Sequence, residues 1–265
     1  MLGLKIEDAI KVNSQLKNYA TYKNGKWKID FKNKEAVNLY NKIILKELFN
    51  LELDFHKEGL IPTPINRFLF IDNIFKDNPN IKNVLEIGTG SGVISLLIAK
   101  YYNCENIYLT DTVDKYVNLA KNNIIKNKNN LKTNYNNLKV INSNGNIING
   151  INELSNLKFD LIISYPPYYK NNSVPSKRGF GGAYASLVEL IGGGTWGEEF
   201  SCKIIKEGKN ILNKNGIITV MMPSKPIERV NLIEKEIINN NLKLKTDKII
   251  TGKRIRYIVK GYNEY

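Results

Sequence analysis

Apolar and polar residues alternate in blocks along residues 83–262, and the blocks have the lengths of strands and helices. Short apolar runs predict five strands, at 83–87, 106–110, 138–141, 159–163 and 216–222. Longer runs predict helices at about 92–103, 113–127, 197–213 and 226–239, and two final runs, 242–250 and 255–262, predict a hairpin. Strands that alternate with helices form a mostly parallel sheet covered on both faces. The sequence therefore predicts a doubly wound α/β sheet of seven strands with an antiparallel end.

The residues ahead of this sheet follow a different pattern, which predicts a small basic α+β extension. Residues 1–20 have a loosely helical spacing of apolar positions, and Lys34–Phe49 has a regular one. Between them, Asn24-Gly25 is a favoured hairpin turn. Up to Asn50 the chain has ten lysines and five acidic residues. We interpret 1–78 as a basic platform ahead of a second domain, 79–265, although an ordinary solvated surface would have the same composition.

Charge and composition narrow the class of protein. The net charge is +14 and the sequence pI is about 9.5. Such an excess favours RNA or DNA as a partner, because each cation that neutralises a phosphate releases counterions. An AT-rich genome would produce the same bias towards Lys, Asn and Ile without selection for binding.

Composition also predicts what the protein lacks. No run approaches the roughly 20 apolar residues of a membrane span, and the N-terminus lacks a signal-peptide pattern. A cytoplasmic protein without a membrane partner is therefore expected, and we expect a monomer. Cys104 and Cys202 are isolated and His56 is the only histidine, so neither a metal site nor a histidine base is expected.

The densest signal for chemistry is the stretch NVLEIGTGSGVISLLIAK. A strand breaks there at Glu86-x-Gly88-x-Gly90-x-Gly92 and continues as a helix, and such a turn lets a ligand approach the positive end of the helix dipole. The dinucleotide fingerprint G-x-G-x-x-G places its third glycine one residue later. The turn instead resembles the first motif of S-adenosylmethionine-dependent methyltransferases, in which the acid lies near the cofactor's ammonium. Asp111, at the end of the next strand, is expected to bind the ribose hydroxyls.

A second signal follows the strand at 159–163, in the loop Ser164-Tyr165-Pro166-Pro167-Tyr168-Tyr169. The loop resembles the [Asp/Asn]-Pro-Pro-[Tyr/Phe] motif of methyltransferases that act on planar amino groups. The exocyclic nitrogen of adenine is a poor nucleophile. Oxygen atoms that accept its two hydrogens favour a pyramidal nitrogen aimed at the methyl group, while an aromatic residue stacks on the base. A proline loop without function is the alternative.

The loop departs from this motif at its first position, where Tyr165 replaces Asn or Asp. A phenol oxygen accepts hydrogen bonds, but the ring is bulkier than an amide and is expected to intrude on the substrate amine. Three interpretations are open: a substitution that silences the enzyme, a natural variant with another substrate, and a protein that has lost the activity.

Further motifs extend the resemblance over nearly the whole chain. In order, they are YKNGKWKIDFKNKEAV, LIPTPINR, EIGTGSG, YPPYY, GGGTWGEEF and TGKRIRY. The set resembles the methyltransferase-like 16 family of RNA adenine-N6 methyltransferases, which act on spliceosomal small nuclear RNA or, in bacterial relatives, on large-subunit ribosomal RNA. The resemblance implies a seven-stranded class I methyltransferase (Rossmann-like) fold, S-adenosyl-L-methionine as cofactor, and an RNA hairpin with a target adenosine as partner.

The resemblance also implies roles for individual residues. Cofactor contacts would come from Arg67, Glu86, Gly88, Gly90, Gly92, Asp111, Asn144 and Asn146. The catalytic loop would comprise Tyr165, Pro166, Pro167 and Tyr168, with Tyr168 stacked on the adenine. RNA contacts would come from Lys177, Arg178, Lys253, Arg254 and Arg256. The glycine-rich segment 171–195 is expected to be a mobile lid, with a linker without function as the alternative.

The predicted function is methyl transfer from S-adenosylmethionine to the N6 amine of adenosine in structured RNA, U6-like or ribosomal. The transfer would be a direct displacement, without metal or covalent intermediate, and Tyr165 puts the activity in doubt. One alternative is a protein glutamine-amide methyltransferase, whose chemistry uses a similar loop. The other is an RNA-binding protein that retains the cofactor pocket but no catalysis.

Overall fold

The structure is a computed structural model that describes residues 3–175, 185–251 and 254–264. Its first part is the predicted α+β segment. The elements are α1 (Ile6–Val12), a 3-10 helix (Ser14–Tyr19), β1 (Ala20–Lys23), β2 (Lys26–Ile29), α2 (Lys34–Phe49) and α3 (Pro64–Asp77). Asn24 and Gly25 turn the β1–β2 hairpin with φ of 52° and 73°, as the predicted turn type requires.

The prediction of one helical segment over residues 1–20 is corrected. The chain leaves α1 at Asn13, which has extended backbone angles. The side chain of Asn13 accepts a hydrogen bond from the backbone N–H of Gln15 and so starts a separate 3-10 helix. Asparagine competes with helical backbone bonding in this way, which a periodicity of apolar positions does not reveal.

A seven-stranded sheet follows. Its strands are β3 (Asn83–Ile87), β4 (Asn106–Asp111), β5 (Leu138–Asn142), β6 (Phe159–Ser164), β7 (Leu212–Pro223), β8 (Lys243–Thr251) and β9 (Arg254–Tyr262). They lie in the order β5-β4-β3-β6-β7-β9-β8. Strands β3 to β7 are parallel, and β9 is antiparallel to both of its neighbours. The predicted fold, a doubly wound α/β sheet with an antiparallel end, is confirmed.

Helices cover both faces of this sheet. They are α4 (Val93–Tyr101), α5 (Asp114–Asn127), α6 (Leu187–Leu190), α7 (Glu199–Gly208) and α8 (Ile227–Asn239). Val84 packs in one buried cluster with α3 and α4, whereas its neighbour Leu85 packs in the other with α7 and α8. Successive residues of a strand point to opposite faces of the sheet, and both faces are buried. The strands therefore have continuous apolar sequences.

Two boundaries differ from the sequence prediction. The helix predicted at 197–213 ends at Gly208, and β7 begins at Leu212 instead of at 216. The pairing of β7 with β6 shifts register beside this start, and Asn215 has a positive φ of 63°. The irregular start of β7 carries no apolar alternation, so periodicity did not detect it. Helix α6 was not predicted, because its four residues are too few to show a helical period.

Two buried asparagines of α5 join the N-terminal segment to the sheet domain. The side chain of Asn127 accepts a hydrogen bond from the backbone N–H of Glu52 at 2.8 Å and donates one to the backbone carbonyl of Glu52 at 2.7 Å. Asn123 pairs with the backbone of Asp54 in the same way, at 2.9 and 3.0 Å. The Asn123 amide nitrogen also donates to the carbonyl of Ser91, in the glycine turn, at 2.9 Å. These amides satisfy buried backbone groups that no strand pairs.

We expect Asn123→Ala to lower the free energy of unfolding by about 1–3 kcal/mol, because it leaves backbone groups of Asp54 and Ser91 unpaired. Urea denaturation measures the change. The matched control is Asn122→Ala, since Asn122 is exposed on the same helix and its loss should change stability by less than about 0.5 kcal/mol. Equal losses in the two variants would contradict the role assigned to the Asn123 amide.

Candidate active site

A cavity of about 370 Å³ lies at the carboxyl ends of the parallel strands β3, β4 and β6. Its walls comprise Leu60, Pro62, Arg67, residues 86–91, Val93, Ile94, residues 110–112, Ser143, Gly145, Asn146, Ile147, residues 165–167, Val188, Glu189 and Phe200. The glycine turn and the proline loop, far apart in sequence, therefore meet at one rim of the sheet, as the sequence predicted. This is the edge at which doubly wound sheets bind ligands.

The glycine turn forms the floor of the cavity. Gly88 and Gly90 have φ of 72° and 55°, and a Cβ atom on either would meet no heavy atom within 4 Å. The backbone there faces open space that a ligand can occupy closely. Gly92 differs: it starts α4 with φ 79°, does not line the cavity, and a Cβ there would lie 3.5 Å from that of Ala120. The positive φ favours glycine there, whereas a contact of 3.5 Å would accommodate a side-chain carbon.

Three N–H groups of this turn form hydrogen bonds within the protein. Gly88 and Thr89 both donate to the carbonyl of Thr110 at 2.9 Å, and Gly90 donates to Asp111 Oδ2 at 2.8 Å. These bonds fasten the turn to the end of β4. The acidic side chain expected at the ribose position is thereby fixed in orientation before any ligand binds.

Glu86 is buried, with 2% of its surface exposed, at the end of β3. One carboxylate oxygen accepts hydrogen bonds from Thr89 Oγ1 at 2.9 Å, from Ser95 Oγ at 2.5 Å and from the Ser95 N–H at 3.1 Å. Burial raises the pKa of Glu86 to about 7, although these hydrogen bonds act in the opposite direction. Nearby Asp111 adds a smaller repulsion in the same direction as burial. Ser95 and Thr89 were not among the predicted site residues.

Asp111 is also nearly buried, with 8% exposed, and lines the cavity. Besides the bond from Gly90, its Oδ1 accepts the N–H of Val113 at 3.0 Å. Burial raises the pKa of Asp111, and these backbone hydrogen bonds partly offset that effect. The carboxylate is thus fixed by two backbone donors at the wall of the cavity.

Arg67, on the first turn of α3, is the cation of the site. It is 8% exposed and lines the cavity. Its guanidinium carbon lies 4.0 Å from the ring centre of Tyr165. Among the described residues, the guanidinium has no hydrogen-bond or ion-pair partner. Burial lowers the pKa of Arg67. A buried guanidinium with free donors facing a cavity is suited to an anionic group.

The proline loop supplies the opposite wall. Ser164 Oγ donates to the carbonyl of Ile87 at 2.7 Å, which ties the start of the loop to the end of β3. Tyr165, Pro166 and Pro167 line the cavity. The phenol oxygen of Tyr165 accepts a hydrogen bond from Arg256 Nε, on β9, at 2.9 Å.

Tyr168 does not line the cavity, although we predicted that it stacks on the substrate base. Its ring lies 4.8 Å from that of Tyr169 and 5.3 Å from the guanidinium carbon of Arg229. Burial raises the pKa of Tyr168. A Cβ on Gly197 would lie 2.0 Å from the Tyr168 carbonyl oxygen, so the GGGTWGEEF segment needs glycine there to pack against this loop.

The two asparagines predicted for cofactor binding separate in the structure. Asn146 lines the cavity together with Ser143 and Gly145. Asn144 is exposed, has φ 50° and does not line it. Asn144 therefore shapes the turn, because asparagine tolerates a positive φ.

Glu189, which the sequence analysis missed, also lines the cavity. It accepts hydrogen bonds from the Leu60 N–H at 2.8 Å, from the Tyr116 hydroxyl at 2.7 Å and from Ser186 Oγ at 2.9 Å. The spacing Ser186-x-x-Glu189, a capping-box signature, was the available signal. Of the predicted lid, 171–195, this part is bonded to the segment before α3 and to α5.

The predicted RNA contacts divide into three groups. Lys177, Arg178 and Lys253 lie outside the described residues. Arg254 is exposed. Arg256 is 8% exposed and bonded to Tyr165 and to Thr251 Oγ1, so it is not part of the outer surface. The alternation of residues along the strand does not predict that Arg256 is buried, because its burial depends on contacts with other parts of the fold.

The N-terminal segment presents basic and aromatic side chains. Exposed lysines of residues 1–50 are Lys5, Lys11, Lys17, Lys23, Lys26, Lys28, Lys32 and Lys46. Tyr22 is 63% exposed and its ring lies 5.3 Å from that of Trp27, over which Lys17 is placed. Within the described residues, we found no metal-binding cluster of His, Cys, Asp or Glu and no helix of the length and apolarity of a membrane span.

Comparison with known proteins agrees with these features. A family model described as RNA methyltransferase, Methyltransf_10, matches residues 5–180. The "Putative methyltransferase MJ0046" of Methanocaldococcus jannaschii is 55% identical over 266 residues, which cover 98% of this chain and 99% of that protein. The U6 small nuclear RNA (adenine-(43)-N(6))-methyltransferase of Caenorhabditis elegans is 38% identical over 110 residues, which cover 39% of this chain and 23% of that protein.

Among solved structures, the catalytic domain of human METTL16 in complex with the MAT2A 3′UTR hairpin 1 matches with a TM-score of 0.80. The match covers 99% of this chain and 92% of that one at 20% identity, and so shows a shared fold. The cofactor is S-adenosylmethionine. The cavity fits it, since separate buried charges, Arg67, Glu86 and Asp111, surround the open space above Gly88 and Gly90. The chain belongs to the Methyltransf_10 family of RNA methyltransferases.

Proposed function

We propose that this protein methylates the N6 amine of adenosine in a structured RNA, U6-like or ribosomal. The observation that carries the proposal is the meeting of the proline loop and the glycine turn in one cavity. Support for adenine comes from the relative in Caenorhabditis elegans, whose name specifies adenine N6 in U6 RNA. Support for RNA in contact with the extension comes from its exposed lysines and aromatic residues.

The residues of the cavity divide the work of binding. When bound, the cofactor supplies an electrophilic methyl group on a sulfonium. Glu86 pairs with its ammonium, Arg67 holds its carboxylate, and Asp111 accepts hydrogen bonds from its ribose. The Asn146 loop contacts its adenine.

The proline loop orients the target amine. We assign acceptance of an amine hydrogen to the backbone carbonyl at Pro166, which lines the cavity. Held in this way, the amine nitrogen would face the methyl group that the cofactor supplies when bound, and its surplus proton would pass to solvent. Tyr165 stands where the family motif has an amide, and its ring narrows the space for the amine. We therefore propose slow transfer for this chain.

The division at residue 78 is part of the same proposal. Residues 1–78 would hold the RNA through phosphate contacts, and 79–265 would carry out the transfer. Lys177, Arg178, Lys253 and Arg254 would add further RNA contacts.

The direct test is the transfer of labelled methyl into total RNA and, separately, into total protein. We expect label in RNA, recovered as N6-methyladenosine after digestion to nucleosides. Tyr165→Asn should raise the turnover number at saturating cofactor several-fold, because the smaller amide admits the amine. Asp111→Ala is the negative control, since it removes a carboxylate of the cofactor site.

Two results would contradict this proposal. Label recovered in protein would favour the glutamine-amide alternative. Tight RNA binding without label from either form would favour the RNA-binding protein that has lost catalysis.

We expect cofactor affinity to rise with pH through about 7. Glu86, whose pKa burial raises to about 7, pairs with the ammonium only when it is ionised. S-adenosylhomocysteine should therefore bind roughly tenfold more weakly at pH 6 than at pH 8, as titration calorimetry can measure. In Glu86→Gln the affinity should be lower and nearly independent of pH, which separates Glu86 from Asp111. A steep pH dependence in that variant would refute the assignment.

RNA affinity should fall steeply with salt. The logarithm of the binding constant against that of salt concentration should have a slope of about −0.7 to −0.9 per phosphate contacted. Replacing Lys23, Lys26 and Lys28 by Gln should make this slope shallower, by up to the amount that about three phosphate contacts contribute. The matched control replaces Lys206, Lys214 and Lys235, which are exposed away from the hairpin. An unchanged affinity across the salt range would argue against RNA as the partner.

A further inference from the structure

Tyr165 is fixed at both ends of its side chain. Its ring packs against the guanidinium of Arg67, 4.0 Å from the guanidinium carbon to the ring centre. Its hydroxyl oxygen accepts the N–H of Arg256 Nε at 2.9 Å. Arg256 is itself held, because Nη1 donates to Thr251 Oγ1 at 2.8 Å. A series of contacts thus connects β9 through Tyr165 to Arg67.

Arg67 is the last residue in this series of contacts, and it lines the cavity. The guanidinium is buried and, among the described residues, forms no hydrogen bond or ion pair. All five N–H donors of a guanidinium lie in its plane. The guanidinium carbon lies 4.0 Å over the ring centre, which is the separation of stacked planes. A stacked ring leaves the edge of the guanidinium free for a bidentate contact with a carboxylate.

No other described contact orients this edge. The Arg67 side chain has several rotatable bonds, and without the ring on its face it would sample other orientations within the cavity. An aromatic ring that is locked by a second arginine restricts the guanidinium to one plane. Two cations around one neutral ring also favour an anionic group in the adjoining space.

We propose that Tyr165 is a positioning residue for the cofactor, which holds the Arg67 guanidinium edge-on to the carboxylate of the bound S-adenosylmethionine. This inference rests on the proposed role of Arg67. Tyr165 occupies the position at which the family motif has an amine-binding Asn or Asp. In this protein it would instead help to bind the amino-acid end of the cofactor. Arg256, predicted as an RNA contact, anchors it.

The test compares two ligands on the full chain by titration calorimetry. S-adenosylmethionine has the carboxylate, whereas decarboxylated S-adenosylmethionine retains the sulfonium and the ammonium but lacks the carboxylate. In Tyr165→Leu, the affinity for S-adenosylmethionine should fall roughly tenfold, the loss expected for a desolvated cation–π contact. The affinity for the decarboxylated ligand should change by less than about twofold.

Conservative variants sharpen the test. Tyr165→Phe keeps the ring and loses only the Arg256 anchor, so it should restore most of the affinity that Leu loses. In an Arg67→Met background, Tyr165→Leu should cost nothing further, because the group it positions is gone. Tyr135→Leu is the matched control: Tyr135 is partly exposed on a 3-10 helix outside the cavity, and neither ligand should respond.

Binding of the decarboxylated ligand reports that each variant is folded. Equal losses for both ligands, or no loss for either, would overturn the positioning role while leaving the proposed function intact. The positioning role would also be overturned if Tyr165→Leu lowered the affinity for S-adenosylmethionine further in the Arg67→Met background. If the unaltered chain binds neither ligand, both this inference and the proposed function fail.

Discussion

Separation of buried charges is the constraint on which this site depends. Glu86, Asp111 and Arg67 are all nearly buried around one cavity, yet within the described residues none of them forms an ion pair. Burial of an ionised group is costly unless it is compensated, and here hydrogen-bond donors and an aromatic ring supply part of the compensation. Ser95 and Thr89 hold Glu86, and backbone N–H groups hold Asp111. The rigid sheet edge prevents the charges from neutralising one another and leaves them for a ligand that carries both signs.

Much of the fold could be predicted from the sequence because its signals are local. The boundaries of α2 were predicted to the residue, since apolar spacing and the capping Asn33 coincide. The strands of the parallel sheet have continuous apolar runs because both faces are buried. Long-range contacts explain what was missed. Helix α6 depends on Glu189, whose partners Leu60 and Tyr116 are distant in sequence.

The candidate site divides in the same way. The glycine turn and the acids could be predicted because their roles follow from the end of a strand and the start of a helix. Three predicted residues, Gly92, Asn144 and Tyr168, do not line the cavity. Gly92 and Asn144 have positive φ and shape turns, and Tyr168 packs against Arg229. The pairing of β9 with β7 brings Arg256 to Tyr165, and no local pattern encodes that contact.

The double hydrogen bond from the Asn123 amide has a mechanical consequence. One nitrogen atom donates both to Asp54, in the basic extension, and to Ser91, in the turn beneath the cofactor. Neither segment can shift against the other by more than a fraction of an ångström without breaking one of these bonds. A displacement of the segment around Asp54 is therefore transmitted to the floor of the cavity through a single side chain, without an intervening hinge.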